Sequence, residues 1–281
     1  MFRILSSQNL APTIQLMEIE APLIARRVKA GQFVVLRLTE KGERVPLTVA
    51  EWSAEKGSLT IIFQEVGKST AELGRLREGD AIQDLIGPLG RPSEIAFHGT
   101  VVCIGGGIGI APIYPIARAL KGEGNRVLSI LGARRKDLLI LEKEMRALSE
   151  GLWVTTDDGS YGRHGLVTDE LRRLIEEGCK IDLVVAIGPP VMMQAVCQLT
   201  ETHGIKTTVS LDSIMVDGTG MCGACRVTVG GKTRFVCVHG PEFDGHQVDF
   251  DEYVRRKKMY LTQEKEAIDR YHRCCREGPG G

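Results

Sequence analysis

The chain has 281 residues, enough for two folded domains and a small third. Lys+Arg and Asp+Glu balance at 36 each, which leaves no basic field to draw nucleic acid, and no apolar run reaches the ~20 residues a membrane helix needs. The N-terminus MFRILSSQNLAPTIQL lacks the long apolar segment and small-residue cleavage site of a signal peptide, and the eight cysteines do not form a secreted disulfide pattern, so a reducing cytoplasm is the expected compartment.

Residues 1–97 read as β structure. FVVLRL (33–38), PLTVAEW (46–52) and LTIIFQEV (59–66) are short apolar or alternating runs separated by turn residues, with one helix expected at Ser69–Leu76 and a turn-rich loop at IGPLGRP (86–92). Strands at this spacing predict a small antiparallel barrel. Near His98 the pattern changes to strand–helix alternation. TVVCIGGG (100–107), RVLSILGAR (126–134), LWVTTDDGS (152–160) and IDLVVAIGPP (181–190) are strands or strand ends. The helices between them are one ending at Gly122, Asp137–Ser149 and Val167–Glu177. That alternation predicts a doubly wound α/β domain over 98–208. Residues 209–281 form a third segment, first rich in Gly and Cys, then charged from Phe250 to Arg276 and read as a terminal helix.

Gly105-Gly106-Gly107-Ile108-Gly109 follows a strand and opens a helix, where backbone amides and the helix N-terminus favour a pyrophosphate. It departs from G-x-G-x-x-G because Ile110 stands at the third glycine, and a tight turn without ligand is the competing reading. Gly67-Lys68-Ser69-Thr70 is not a P-loop, since Ile62 occupies the required glycine; it is a helix start that can offer hydroxyls and amides to a phosphate, or an ordinary cap. At the start of a barrel strand, Arg44 can hold a phosphate and Thr48 can reach a polar ring edge.

Cys222 and Cys225 form a CxxC step and Cys237 supplies a third thiolate. Asp217 is the favoured fourth ligand, with His239 and Asp212 as alternatives. Spacing alone is balanced between zinc and a two-iron cluster, because thiolate suits both.

In order along the chain, AGQFVVLRL, RVPLT, VGKST, GPLG, GGGIGIAP, TTDDGSYG, IGPPVMM and DGTGMCGACRV resemble the ferredoxin–NADP reductase superfamily. More closely they resemble the small flavin and iron–sulfur subunits of two-subunit oxidoreductases: those of NADH-dependent reduced ferredoxin:NADP oxidoreductase, sulfide dehydrogenase and dihydroorotate dehydrogenase. The resemblance spans nearly the whole chain and implies FAD in the barrel, NAD(H) or NADP(H) on the α/β domain and a 2Fe–2S cluster in the last segment.

By that resemblance Pro46, Leu47 and Thr48 face the flavin ring, and Thr48, hydrogen-bonding the flavin, is the nearest thing to a catalytic side chain. Phe63, Gln64, Gly67, Ser69 and Thr70 line the ribityl and pyrophosphate part. Many relatives carry Arg-x-Tyr-Ser at the first motif, whereas Arg44 here lies one residue further from the hydroxyl and no tyrosine is present. The nicotinamide nucleotide is expected over Gly106, Gly107, Ile108, Gly109 and Ala111, with Arg134, Asp157, Asp158, Gly188, Pro189 and Met192 nearby. Arg134, Arg135 and Lys136 can meet a 2′-phosphate, but NAD(H) is the nucleotide of the most similar subunits.

Dihydroorotate dehydrogenase subunits carry cysteine where Asp217 stands, and the bifurcating ferredoxin:NADP oxidoreductase subunits carry aspartate. The resemblance therefore implies an electron-transfer subunit with a larger flavin and iron–sulfur partner, reaching ferredoxin through the complex. The alternatives are a redox subunit of sulfide or dihydroorotate dehydrogenase, and a nucleotide-binding module with structural zinc.

Overall fold

The computed structural model describes residues 1–277; the last four positions of the expected 209–281 segment lie outside the described residues. The first seven strands are β1 (Phe2–Ala11), β2 (Ile14–Glu20), β3 (Phe33–Arg37), β4 (Arg44–Ser53), β5 (Ser58–Gln64), β6 (Ala81–Ile82) and β7 (Asp84–Leu89). Short helices α1 (Pro22–Ala25) and α2 (Lys68–Leu73) interrupt them. They form one antiparallel sheet in the order β6-β1-β2-β5-β4-β3-β7, the nearly closed barrel that the alternating runs predicted. The first hairpin, β1–β2, had no apolar run to announce it. IGPLGRP is not wholly loop, because β7 runs through Gly87-Pro88 to Leu89.

The middle of the chain supplies β8 (Thr100–Gly106), α3 (Ile110–Gly122), β9 (Arg126–Ala133), α4 (Glu142–Leu148), β10 (Gly151–Thr156), β11 (Arg163–His164), α5 (Val167–Glu176), β12 (Leu183–Ile187), α6 (Pro190–Thr202) and β13 (Thr207–Ser210). The sheet order is β11-β10-β9-β8-β12-β13, parallel throughout, so the chain reverses direction of growth between β8 and β12. β12 is buried along its whole length, and β8 at every residue but its first, which is why both read as unbroken apolar runs. The helix expected over Asp137–Ser149 is shorter. A left-handed residue, Leu141 at φ 53°, separates a single 3₁₀ turn from α4.

The last part contains β14 (Arg226–Val229), β15 (Lys232–Phe235), α7 (Val236–His239), β16 (Glu242–Asp244), α8 (Phe250–Lys257) and α9 (Leu261–Glu277). β14 and β15 make a hairpin, and β16 pairs antiparallel with β13 as the outer strand of the α/β sheet. β13 itself crosses the expected 208/209 boundary, so this segment is woven into the sheet beside it. The single terminal helix expected from Phe250 is two helices broken at 258–260.

One strand joins all the parts. In β3, Val34 and Leu36 point into the barrel core with Ile4, Met17 and Phe63. Phe33 and Val35 point the other way, into a core shared with Val209 and Leu211 and with Cys225, Val227 and Cys237. Strand periodicity of two puts neighbouring side chains on opposite faces, and here both faces are buried. A second seam joins barrel and α/β domain, where Arg118 of α3 pairs with Glu51 at 2.6 Å and lies over the rings of Trp52 and Tyr114.

Burying a side chain the size of valine contributes roughly 1.5–3 kcal/mol. Val35→Ala removes the two methyl groups from a site that cannot collapse, and is expected to cost about 2 kcal/mol, read from the midpoint of urea unfolding.

Candidate functional site

The flavin wall expected on β4 is a register-paired surface. Pro46, Leu47 and Thr48 sit opposite Val35, Val34 and Phe33, and all three are half-buried. Arg44, at the start of the same strand, is exposed. At the start of α2, Thr70 Oγ1 accepts from the amides of Val66 and Gly67, both at 3.1 Å, and so organises the cap. Ser69 Oγ donates to Glu43 Oε2 at 2.5 Å, and Gln64 Nε2 donates to Thr13 Oγ1 at 3.4 Å. Phe63 behaves differently. Its side chain is 1% exposed and belongs to the barrel interior, leaving only its backbone to face a ligand.

The nucleotide loops meet at the carboxyl ends of the parallel strands, where β8 and β12 lie side by side with Ile187 opposite Gly105. Such a reversal point in an open α/β sheet leaves a crevice for a ligand. Gly106, Gly107, Ile108 and Gly109 form the turn after β8, and Gly188, Pro189 and Met192 the turn after β12. Met192 packs between the two turns, against Gly106 and Gly188. A β-carbon on Gly109 would stand 2.2 Å from the Ile187 carbonyl oxygen, so only glycine lets the turns approach this closely. Ala111 is 2% exposed and packs the helix rather than facing the crevice.

Arg134, Asp157 and Asp158 are exposed at the ends of β9 and β10, tied by Asp157 N to Ala133 O at 3.1 Å and Asp158 N to Arg134 O at 3.3 Å. Hydrogen bonds from the Ser160 hydroxyl and amide hold the Asp158 carboxyl below its ordinary range, and Arg135 adds to this. Arg135 is itself paired with Asp137 at 2.9 Å.

The four candidate metal donors stand as two pairs. Asp217 Oδ1 is 3.3 Å from Cys222 Sγ, and Cys225 Sγ is 3.2 Å from Cys237 Sγ. Asp217 and Cys222 are on the outer side, with Cys222 exposed; Cys225 and Cys237 are each 2% exposed. The carboxylate also accepts from the amides of Thr219, Met221 and Cys222 and from the Thr219 hydroxyl, at 3.1–3.2 Å. Partial burial opposes its charge. The Thr219 amide, the Cys222 thiol, the Thr219 hydroxyl and the Cys222 amide outweigh that and bring its pKa to about 2. The Cys237 thiol is pushed up to about 12, first by burial and then by the neighbouring Cys225.

The alternative ligands are engaged elsewhere. His239 Nδ1 accepts the Phe235 amide at 2.9 Å, and Asp212 is bound by Tyr253 and Lys257. Among the described residues no three His, Cys, Asp or Glu side chains converge on one point. Two pairs of donors, three of them thiolates, fit a two-iron cluster with two protein ligands on each iron.

The spacing Asp217-x₄-Cys222-x₂-Cys225 followed by Cys237 is the plant-type cluster spacing with aspartate in the first position, a signal the sequence carries that composition and context alone do not exploit. Gly218 sets the loop in place. Its φ is 78°, and a β-carbon there would stand 3.0 Å from Val35 Cγ2 and 2.9 Å from Leu89 Cδ1, so the loop rests directly on the outer face of β3 and β7.

Two outcomes follow from this geometry. Gly109→Ala is expected to weaken NADH binding about tenfold or more while leaving flavin content unchanged, measured by calorimetric titration; tenfold corresponds to about 1.4 kcal/mol. Asp217→Cys should keep a two-iron cluster but change its reduction potential, because a harder oxygen donor is replaced by thiolate; an unchanged potential and spectrum would show that Asp217 is not a ligand.

Two domain families match the chain. Residues 212–249 match the iron–sulfur cluster binding domain of dihydroorotate dehydrogenase B, and residues 103–198 match the oxidoreductase NAD-binding domain. A Thermotoga maritima protein described as a homolog of the dihydroorotate dehydrogenase B (NAD(+)) electron transfer subunit is 50% identical over 253 residues, covering 90% of this chain and 89% of the relative. The corresponding electron transfer subunit of Geobacillus thermodenitrificans is 34% identical, covering 87% of this chain and 96% of the relative.

Among solved structures, one of an NADH-dependent reduced ferredoxin-NADP oxidoreductase, described for flavin-based electron bifurcation, superposes with a TM-score of 0.91 at 48% identity, covering 96% of this chain and 97% of that chain. The ferredoxin NADP+ reductase of Neisseria gonorrhoeae shares the fold at 22% identity and a TM-score of 0.58, over 72% of this chain and 90% of that one. With relatives this similar over nearly its full length, the chain belongs to the family of dihydroorotate dehydrogenase B electron-transfer subunits and their homologues.

Proposed function

We propose that this chain is the FAD- and 2Fe–2S-carrying subunit of a two-subunit NAD(P)H oxidoreductase, exchanging hydride between NAD(P)H and FAD and single electrons between FAD and the cluster. The observation that carries the reading is the position of Val35. It pairs in register with Pro46 of the flavin wall, and its outward methyl group touches the Gly218 loop beside Asp217. One strand thus separates the place expected for the flavin from the place expected for the cluster.

The flavin, when bound, supplies the change from two-electron to one-electron chemistry. The protein's part is placement. The half-buried β4 surface of Pro46, Leu47 and Thr48 offers the ring an apolar bed with one hydroxyl, and the amides and hydroxyls at the start of α2 suit its pyrophosphate. The two glycine turns at the β8/β12 reversal are positioned for the nicotinamide nucleotide, with Arg134, Asp157 and Asp158 toward its adenosine end. Asp217, Cys222, Cys225 and Cys237 would hold the cluster. No side chain need act as acid or base. NAD(H) is the proposed nucleotide, because Arg135 already has Asp137 as partner and an ionised Asp158 beside it, which leaves less positive charge for a 2′-phosphate.

A larger flavin and iron–sulfur subunit is the proposed partner, as an electron-transfer subunit needs an acceptor. The similarity to the bifurcating oxidoreductase supports ferredoxin as a further partner reached through that complex. Among the described residues no helix is long and apolar enough to cross a membrane.

The test is an absorption spectrum of anaerobically purified protein. Flavin bands with cluster absorbance, bleached by NADH more readily than by NADPH, are expected; a colourless, zinc-containing protein would sink the reading. The subunit that co-purifies decides between the bifurcating role and that of a sulfide or dihydroorotate dehydrogenase.

A further inference from the structure

Between Cys222 and Cys225 the chain turns through Gly223 and Ala224, and both of their carbonyl oxygens accept from guanidinium groups. Arg226 Nη1 donates to Gly223 O at 3.3 Å from three residues along the chain. Arg256 Nη2 donates to Ala224 O at 3.0 Å from 32 residues away, on α8. Among the described residues neither guanidinium takes part in an ion pair.

The fixation of α8 makes the Arg256 contact more than a chance surface encounter. Asp249 caps the helix through the Glu252 amide at 2.8 Å, and its own amide donates to Thr228 O at 3.0 Å. Glu252 Oε2 accepts the Thr228 amide at 2.9 Å, tying the helix to β14. Tyr253 is 2% exposed, and its hydroxyl accepts the Asp212 amide at 3.0 Å and donates to the Asp212 carboxylate. Lys257 meets the same carboxylate at 2.5 Å. The helix is therefore anchored both to the segment that leads into the ligand loop and to the hairpin that leads out of it, and Arg256 reaches from it to the turn between two ligands.

We propose that Arg256 is a positioning residue for the iron–sulfur cluster: it fixes the Cys222–Cys225 turn through the Ala224 carbonyl and sets a permanent positive charge there that favours the reduced cluster. This rests on the cluster reading above. The physical basis is that a guanidinium stays protonated at any working pH, and that reduction adds one negative charge to a site already bearing three thiolates and a carboxylate. A nearby cation attracts the reduced state more strongly than the oxidised one, and net charge is among the determinants of cluster potential. Arg226, more exposed and held by a longer contact, should contribute in the same direction but less.

The experiment compares Arg256→Lys, Arg256→Gln and Arg226→Gln in the full complex, measuring iron and acid-labile sulfide and then the cluster midpoint by a redox titration followed by electron paramagnetic resonance. Arg256→Gln is expected to load a full cluster and titrate at a lower potential than the native protein. Arg256→Lys should stay close to native, and Arg226→Gln should shift less than Arg256→Gln. An unchanged midpoint in loaded Arg256→Gln overturns the proposal, as does a Lys variant shifted as far as Gln. Loss of the cluster from both Lys and Gln variants overturns the charge effect and leaves Arg256 as a mechanical tie alone. Absence of iron and sulfide from the native protein would instead overturn the cluster reading on which the proposal rests.

Discussion

The structure depends on a strand with no solvent face. β3 gives Val34 and Leu36 to the barrel and Phe33 and Val35 to the core shared by the α/β sheet and the cysteine-bearing segment. Ordinary barrel strands keep one face wet, and the alternation along them reports which. Here the alternation is between two different cores. A slip of one residue would exchange them, sending barrel side chains outward and removing the surface on which the Gly218 loop rests. The same register that closes the barrel therefore fixes where the ligand loop can lie.

The α/β domain is attached by a different logic. The crevice between β8 and β12 is lined by glycine turns with Met192 packed between them, while α3 turns its apolar face toward the barrel and closes the second seam through Arg118 and Glu51. The candidate nucleotide crevice is thus defined by how closely two backbones approach, and the candidate metal site by which side chains a loop presents. The first tolerates almost no added volume. The second is governed by charge, with a carboxylate saturated by its own loop amides on one side and two guanidiniums on the other.

Much of this was legible in the sequence because the signals were local. FVVLRL, LTIIFQEV and TVVCIGGG are strands whose apolar content survives any arrangement of neighbours, and the chain-order set of motifs implied both the barrel and the doubly wound sheet. What was hidden was long-range. β1 and β2 have mixed polarity and are strands by pairing rather than by pattern. The Asp137–Ser149 periodicity was real but interrupted by Leu141 in the left-handed region, a conformation that leucine does not advertise. Phe63, expected beside the ligand, lies inside the barrel, since strand parity there is set by pairing with β2 and β4. At the candidate metal site the thiolates were plain from spacing, but that Asp217 stands beside Cys222 while His239 and Asp212 turn to other partners is a matter of tertiary contacts. The role of α8 was invisible, because a charged helix looks like a solvated one until its arginine is seen against a distant carbonyl.

The two donor pairs differ in what can reach them. Cys225 and Cys237 are buried in one core with Val227 and Val236, whereas Cys222 lies open beside Met221, itself 89% exposed. Thiol oxidation follows access, and methionine beside an open site is oxidised on the same terms. Within this segment, air oxidation is therefore expected to reach Cys222 and Met221 before Cys225 and Cys237, so the exposure of one candidate ligand also decides which of the three cysteines wears out first.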